Sequence, residues 1–430
     1  MVLVLAGGGV ALLASQVEKP QVEAAEPRPA VSRPERLAAF RGREECGPLR
    51  YGGEGRPDVA LGVAFYERLR VAEAVEVVLA ERGWRAGPWR VGLHWCDETS
   101  RSRSRFDTGP YTCEVVAKQL KRAESVVGFV GPLGTCAYQV LSELGDLPTV
   151  SGTVTGTCFT RRSSACGPWD GQGTAAFART VPPDAVQAAA LAELAAAEGL
   201  RRVVVLDDRE SYGIDIADAF AEVAPRLGVD VAARLSWDPK AEGYAGLMRK
   251  VSSARPDAVL LAGLHDENGP AVVRAKVAAL GPNDGAVRLL APDEFAVDTM
   301  LGKAAEGMLV TGSGLAVDDL PEPGRELVAT LRDELGDAAR EEWLPLLVYA
   351  AQAAEVLLDA IARSDGTRAG VLAALPEIRI EDGLIGDFGL DEHGDATLRA
   401  VTVYRVEGGR LVPDRVLDPD AALVDAAARG

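Results

Sequence analysis

The sequence predicts an α/β protein of two lobes, each a mostly parallel sheet between layers of helix. Three observations predict it. From Asp58 onward, short Val-, Leu- and Ala-rich runs alternate with runs of helical length, the rhythm of a parallel sheet covered on both faces. A polar stretch at 156–178 interrupts that rhythm once, after which it resumes. Aromatic residues are only 5% of the chain, so the core must be built of small aliphatic side chains, with Ala-rich helices lying close on Val/Leu strands.

The elements follow in order. Residues 2–17, VLVLAGGGVALLASQV, form an apolar run with no Lys or Arg before it. The run is shorter than the roughly 20 residues that span a bilayer. It reads as a signal remnant or the end of a membrane anchor. Residues 18–57, rich in Glu, Pro, Arg and Gly, read as a linker. VALGVAF (59–65) is a strand, 69–83 a helix stopped by Gly83, and WRVGLHWCD (89–97) a second strand. Helix 110–123, a strand from 125, helix 137–146 and a short strand at 147–152 complete the first run. After the polar loop come helix 184–199, strand 201–208, helix 212–228, strand 229–237, helix 244–256, strand 257–266, helix 270–281 and strands at 286–295 and 308–314. Two helices follow, at 318–336 and 342–364. The segment 382–412 reads as antiparallel strands with turns at GDFGLDEHGD and EGG.

Bulk charge and motif content exclude several functions. A formal net charge of -18 repels phosphate backbones, and no basic stripe offsets it, so nucleic acid is not an expected partner. The six cysteines (Cys46, Cys96, Cys113, Cys136, Cys158, Cys166) contain no CxxC, and the only histidines are His94, His265 and His393, which excludes a zinc site. No metal or other cofactor is expected. An even cysteine count after an apolar leader points to disulfides and an extracytoplasmic location. Cys96 and Cys113 flank one loop and are expected to pair, then Cys158 with Cys166. Cys46 and Cys136 are left to pair across the lobe or to stay free. No GxSxG, HExxH or GxxxxGK[ST] occurs, so no enzyme is expected.

Open α/β sheets bind ligands outside the carboxyl ends of their strands. Three such ends are polar: Gly131-Pro132-Leu133-Gly134-Thr135, Ser151-Gly152-Thr153-Val154-Thr155 and Pro292-Asp293-Glu294. The first two can turn backbone N–H groups and threonine hydroxyls toward an anion. Asp293 supplies the opposite sign, suited to an ammonium. The plainer reading makes the threonines helix caps and Asp293 a turn residue.

Several segments resemble the periplasmic leucine/isoleucine/valine-binding proteins. VVGFVGPLGTCAYQVLSELGDLPTVSGTVTGTCFT looks like part of their first lobe, and RRVVVLDDRESYGIDIADAFAEVAPRLGVDV like the opening of their second. LLAPDEFAVDTMLGKAAEGMLVTG is similar to the return to the first lobe. RAGPWRVGLHWCDET and FDTGPYTCEVVAKQLK resemble actinobacterial-type members, which carry a Cys pair there. The likeness covers residues 56–412 and implies a type I periplasmic binding fold, two Rossmann-like lobes joined by a three-segment hinge. Lobe one is expected at 58–178 plus 313–400 and lobe two at 179–312 plus 401–420.

The same resemblance implies a solute site. Thr135 would bind a ligand carboxylate, with Thr153 and Thr155 adding contacts from the next strand end. Asp293 would hold an amino group, Tyr212 would line the cleft, and Leu264 stands where the leucine-binding proteins have an aromatic. The loop after the first strand is short, and Tyr66 is the candidate to replace its cleft-facing ring. The implied function is a binding protein that closes on a small polar solute, an amino acid or a relative, for an ABC permease. The alternatives are a ligand-sensing domain of a membrane signalling protein, or a vestigial cleft used for protein interaction.

Overall fold

VALGVAF is apolar at every position, and as β1 (Val59–Phe65) it is buried along its whole length, as the centre of a sheet covered on both faces requires. The computed structural model describes residues 46–65, 69–97, 110–161, 176–296 and 302–429. Around β1 lie α1 (Val71–Glu81), β2 (Arg85–Ala86), β3 (Trp89–Asp97), α2 (Pro110–Arg122), β4 (Val126–Val130), α3 (Ala137–Leu144), β5 (Thr149–Ser151) and β6 (Phe177–Arg179). The second series is α4 (Asp184–Ala197), β7 (Arg202–Asp207), α5 (Ser211–Val223), β8 (Asp230–Ser236), α6 (Ala245–Ser253), β9 (Ala258–Ala262), α7 (Gly269–Leu280), β10 (Arg288–Ala291) and β11 (Leu309–Gly312). The chain then adds α8 (Glu322–Leu335), α9 (Leu344–Ala362), α10 (Arg368–Ala374), β12 (Arg379–Ile380), β13 (Phe388–Gly389), β14 (Val401–Glu407), β15 (Arg410–Leu417) and α11 (Ala421–Ala427).

Two large sheets result. The first runs β2-β3-β1-β4-β5-β6 and the second β15-β14-β11-β10-β9-β7-β8. Both are parallel except at one edge, where β2 pairs antiparallel with β3 and β14 pairs antiparallel with β11 and β15. The first sheet packs one face on α1, α8 and α9 and the other on α2 and α3. The second lies between α4, α5 and α11 on one side and α6 and α7 on the other. The chain passes from the first sheet to the second after Arg179, back after Gly312, and over again before Val401. β12 and β13 form a separate antiparallel pair.

Ala-rich composition sets the packing distance. In α4, Ala185, Ala188, Ala189, Ala190, Ala192 and Ala195 are buried, so α5 and α11 close on it with little side chain between. Helix α9 is the one described helix long and apolar enough to cross a membrane, but 78% of its apolar window is buried on the first sheet. It is the core helix of that lobe. Its second turn runs so close to the end of β5 that a Cβ on Gly152 would lie 2.5 Å from the Ala350 nitrogen.

The expected disulfide pairing is corrected. Cys46 bonds Cys96 and Cys113 bonds Cys136, not Cys96 with Cys113. Flanking one loop does not bring two cysteines together here, because Cys96 lies near the end of β3 and Cys113 in the first turn of α2, against α3. Cys158 is also disulfide-bonded; its expected partner, Cys166, lies outside the described residues. The first bond has a further effect. Residues 46–57, read as linker, lie along β3, with bridges from Cys46 to Cys96 and from Arg50 to Leu93. Helix α10 was not anticipated.

Candidate functional site

The two sheets share a strand order. β3-β1-β4-β5-β6 and β8-β7-β9-β10-β11 both place the first strand second, with its successors running to either side. Such a reversal leaves a crevice outside the carboxyl ends of the strands, where ligands bind.

In the second lobe, β7 ends at Asp207, and the next residue, Asp208, is buried. Its carboxylate accepts from the Leu264 amide at 2.6 Å and the Glu210 amide at 3.0 Å, fixing the ends of β7 and β9 together. Only glycine fits at 213, since a Cβ would sit 2.2 Å from Asp208 Oδ1 and 2.5 Å from the Ala262 carbonyl oxygen. That close approach carries Tyr212 to the end of β10, where its hydroxyl donates to Asp293 Oδ1. Ser313, just past β11, donates to Asp293 Oδ2 at 2.6 Å. The Asp293 amide donates to Gln187 Oε1 at 3.2 Å, and Thr311 Oγ1 approaches the same oxygen at 3.4 Å.

The first-lobe half is two loops that hold each other. Ser151 Oγ donates to the Pro132 carbonyl at 3.1 Å and accepts from the Thr153 and Val154 amides at 3.2 and 3.1 Å. Thr153 Oγ1 donates to the same carbonyl at 3.1 Å. Arg179, fully buried, bonds the Val154 and Gly156 carbonyls at 2.9 Å each while its Nε donates to Asp395 at 2.6 Å. The loop after β5 is thus built on a buried ion pair with its remaining hydrogen bonds satisfied.

The halves meet at two carboxylates. The Asp184 amide donates to the Thr155 carbonyl at 2.8 Å, and the Thr155 hydroxyl faces the Asp184 carboxyl. The Thr157 amide donates to Asp215 Oδ2 at 2.9 Å. Gln187 Nε2 donates to Asp184 Oδ1 at 3.3 Å, so a hydrogen-bonded chain runs from Thr155 through Asp184 and Gln187 to Asp293.

This region is acidic, and no basic side chain forms an ion pair with Asp184, Asp208, Asp293 or Glu294 among the described residues. Burial, with Asp215 and Asp293 nearby, raises the Asp184 carboxyl well above its ordinary range. Burial raises Asp208 to about 6 against the pull of the amides it accepts from. Glu294, exposed on its turn, is pushed in the same direction by partial desolvation of its carboxyl and by Asp293, Asp266 and Asp208. Burial and the Asp293 charge likewise raise the Tyr212 hydroxyl.

Of the residues singled out from sequence, Tyr212 and Asp293 touch, and Thr155 joins them through Asp184. Leu264 is half-buried and held by Asp208 beside Gly213. Thr153 and Thr155 turn their hydroxyls toward protein groups, so a ligand carboxylate would compete with Pro132 for the Thr153 hydroxyl. Thr135 lies in the turn Gly134–Cys136, with its side chain outside what the structure describes; Tyr66 lies outside the described residues. Sequence reasoning missed Asp184, Gln187 and Ser313. An Asp opening a helix reads as a cap, and a Gln in an Ala run or a Ser after a strand carries no local signal.

A family profile described as periplasmic binding protein matches residues 109–410. The Leu/Ile/Val-binding protein BraC3 of Rhizobium johnstonii is 26% identical over 220 residues, 49% of this chain and 56% of that protein. The chain thus matches little more than half the length of this relative. The leucine-binding protein LivK of Thermotoga maritima superimposes with a TM-score of 0.69 at 22% identity, covering 84% of this chain and 99% of that one. An R. palustris ABC-transporter solute-binding protein in complex with 4-hydroxybenzoate does so at 0.68 and 17% identity, covering 85% and 99%. Likeness at these identities speaks to the fold, and the family match to the kind of protein, a periplasmic binding protein. With the profile covering most of the chain, this protein belongs to the periplasmic binding protein family.

Proposed function

We propose that the protein is an extracytoplasmic receptor that closes its two lobes over an amino acid, or a small solute bearing the same ammonium group, and presents it to an ABC permease. The observation that carries this reading is Asp293. Its carboxylate is oriented on one oxygen by Tyr212 and on the other by Ser313, with no basic side chain paired to it among the described residues. An ammonium placed there makes charge-assisted hydrogen bonds that an exposed acid could not offer. The loops carrying Thr135, Thr153 and Thr155 would supply the opposite wall, where a carboxylate has to displace the Thr153 hydroxyl from the Pro132 carbonyl. The acids around Asp293 argue against an aromatic carboxylate without an amine, the class bound by the R. palustris protein.

The test is a thermal-shift screen of the purified protein against the L-amino acids, simple amines and hydroxybenzoates, followed by calorimetry on each hit. Ligands of the folded state raise its apparent stability. Amino acids should stabilise and hydroxybenzoates should not. The reverse pattern would overturn the assignment of Asp293 to an ammonium.

A further inference from the structure

Asp293 is bonded to one of the three chain crossings between the lobes and linked through Gln187 and Asp184 to another. The second crossing begins at Ser313 and bends at Gly314, where φ is +115° and a Cβ would lie 2.3 Å from the Tyr349 hydroxyl. Only glycine makes that bend. The Leu315 amide donates to the Tyr349 hydroxyl oxygen at 3.1 Å, tying the crossing to α9 of the first lobe. The third crossing is joined to it: the Thr402 amide and hydroxyl both donate to the Gly314 carbonyl at 2.9 Å, and Thr402 Oγ1 accepts from the Ala316 amide at 2.9 Å. Ser313, which opens this bend, spends its hydroxyl on Asp293 Oδ2. The other connection leads to the first crossing, through Gln187 to Asp184, the first residue of α4.

We propose that Ser313 is a positioning residue that couples the occupancy of Asp293 to the hinge. The inference rests on Asp293 receiving the ligand ammonium. An arriving ammonium adds a third donor to a carboxylate already shared by Tyr212 and Ser313, and fixes its plane. Ser313 follows that plane, and the bend at Gly314 follows Ser313. A ligand favours closure only through contacts that differ between the open and closed states, and this bond supplies one at the pivot. Without the hydroxyl the ammonium still docks, but docking no longer stiffens the crossing. Gln187 gives the first crossing a weaker version of the same connection, through the backbone of Asp293.

Hydrogen exchange of the peptide 312–317 in the full chain tests this. Without ligand, Ser313→Ala and Asp293→Ala should each speed exchange about fivefold, the loss of one net hydrogen bond. The double variant should be no faster than either, and Ser313→Thr should behave as the parent. Unchanged exchange in the single variants, or effects that multiply in the double, would overturn the coupling. Methylammonium chloride is then the probe. It should slow exchange in the parent and in Ser313→Thr, but not in Ser313→Ala. Equal slowing in Ser313→Ala, with none in Asp293→Ala, leaves the ammonium site standing and rejects the role of Ser313. No slowing in the parent, or equal slowing in Asp293→Ala, rejects the ammonium site and with it the coupling.

Discussion

At the scale of single residues, the site's behaviour turns on carboxyl groups that hold their protons too long. Asp208 titrates near 6 in the folded protein, above its ordinary range. The folded state therefore keeps a proton that the unfolded chain has lost, and stability from this group declines as pH rises from about 4 to about 6. Ligand binding should respond in the opposite sense. An ammonium favours ionised carboxyls, and with Asp184 and Glu294 both raised affinity should rise with pH through neutrality. Calorimetry at pH 7 in buffers of different ionisation enthalpy should show protons released on binding; uptake would contradict the acidic-wall reading. Asp293→Ala should weaken amino-acid binding about a hundredfold, the scale of a lost charge-assisted bond within a closed cleft, as read by calorimetry on any ligand found. Much of this chemistry was not legible beforehand. Asp293 stood out because it follows an apolar strand and a proline. Ser313 and Gln187 matter only because the fold folds them back on Asp293, and no local pattern encodes that meeting.

At the scale of elements, the alternation of strands and helices was readable because the central strands are apolar runs buried on both faces, and the helices between them are long enough to cross back. β1, β4 and β9 are buried at every position, so they appear as continuous apolar runs in the sequence. The disulfides were not readable, since pairing depends on which elements lie side by side. α2 and α3 pack together, and that brings Cys113 to Cys136. Replacing both with alanine should cost about 3 kcal/mol, from a closed loop 23 residues apart in sequence, measured by urea unfolding. The Gly152 contact gives a second prediction. The backbone of Tyr349 and Ala350 in α9 cannot retreat without disturbing the core, so Gly152→Ala should destabilise by about 3 kcal/mol, whereas Gly199→Ala, where φ is +73° and a Cβ would meet nothing within 4 Å, tests φ alone. Residues 46–57 were misread as linker because their composition is that of a linker. A disulfide and two isolated bridges, rather than any apolar pattern, hold them to β3.

At the scale of the whole molecule, closing two bodies on one solute predicts a change of shape. A ligand identified by the screen, at about a hundred times its dissociation constant, should add about 2.7 kcal/mol of apparent stability and reduce the radius of gyration in solution scattering. Ser313→Ala should retain much of the first effect and lose much of the second. The bond from Cys46 to Cys96 bears on this motion in another way. It rivets the upstream chain to the first sheet, on the side of β3 away from β1. Any load arriving along that chain is therefore borne by the first lobe and bypasses the crossings. If the lobes close as proposed, the first lobe is in mechanical terms the stator and the second the rotor, and a hold on the upstream chain would leave the swing free.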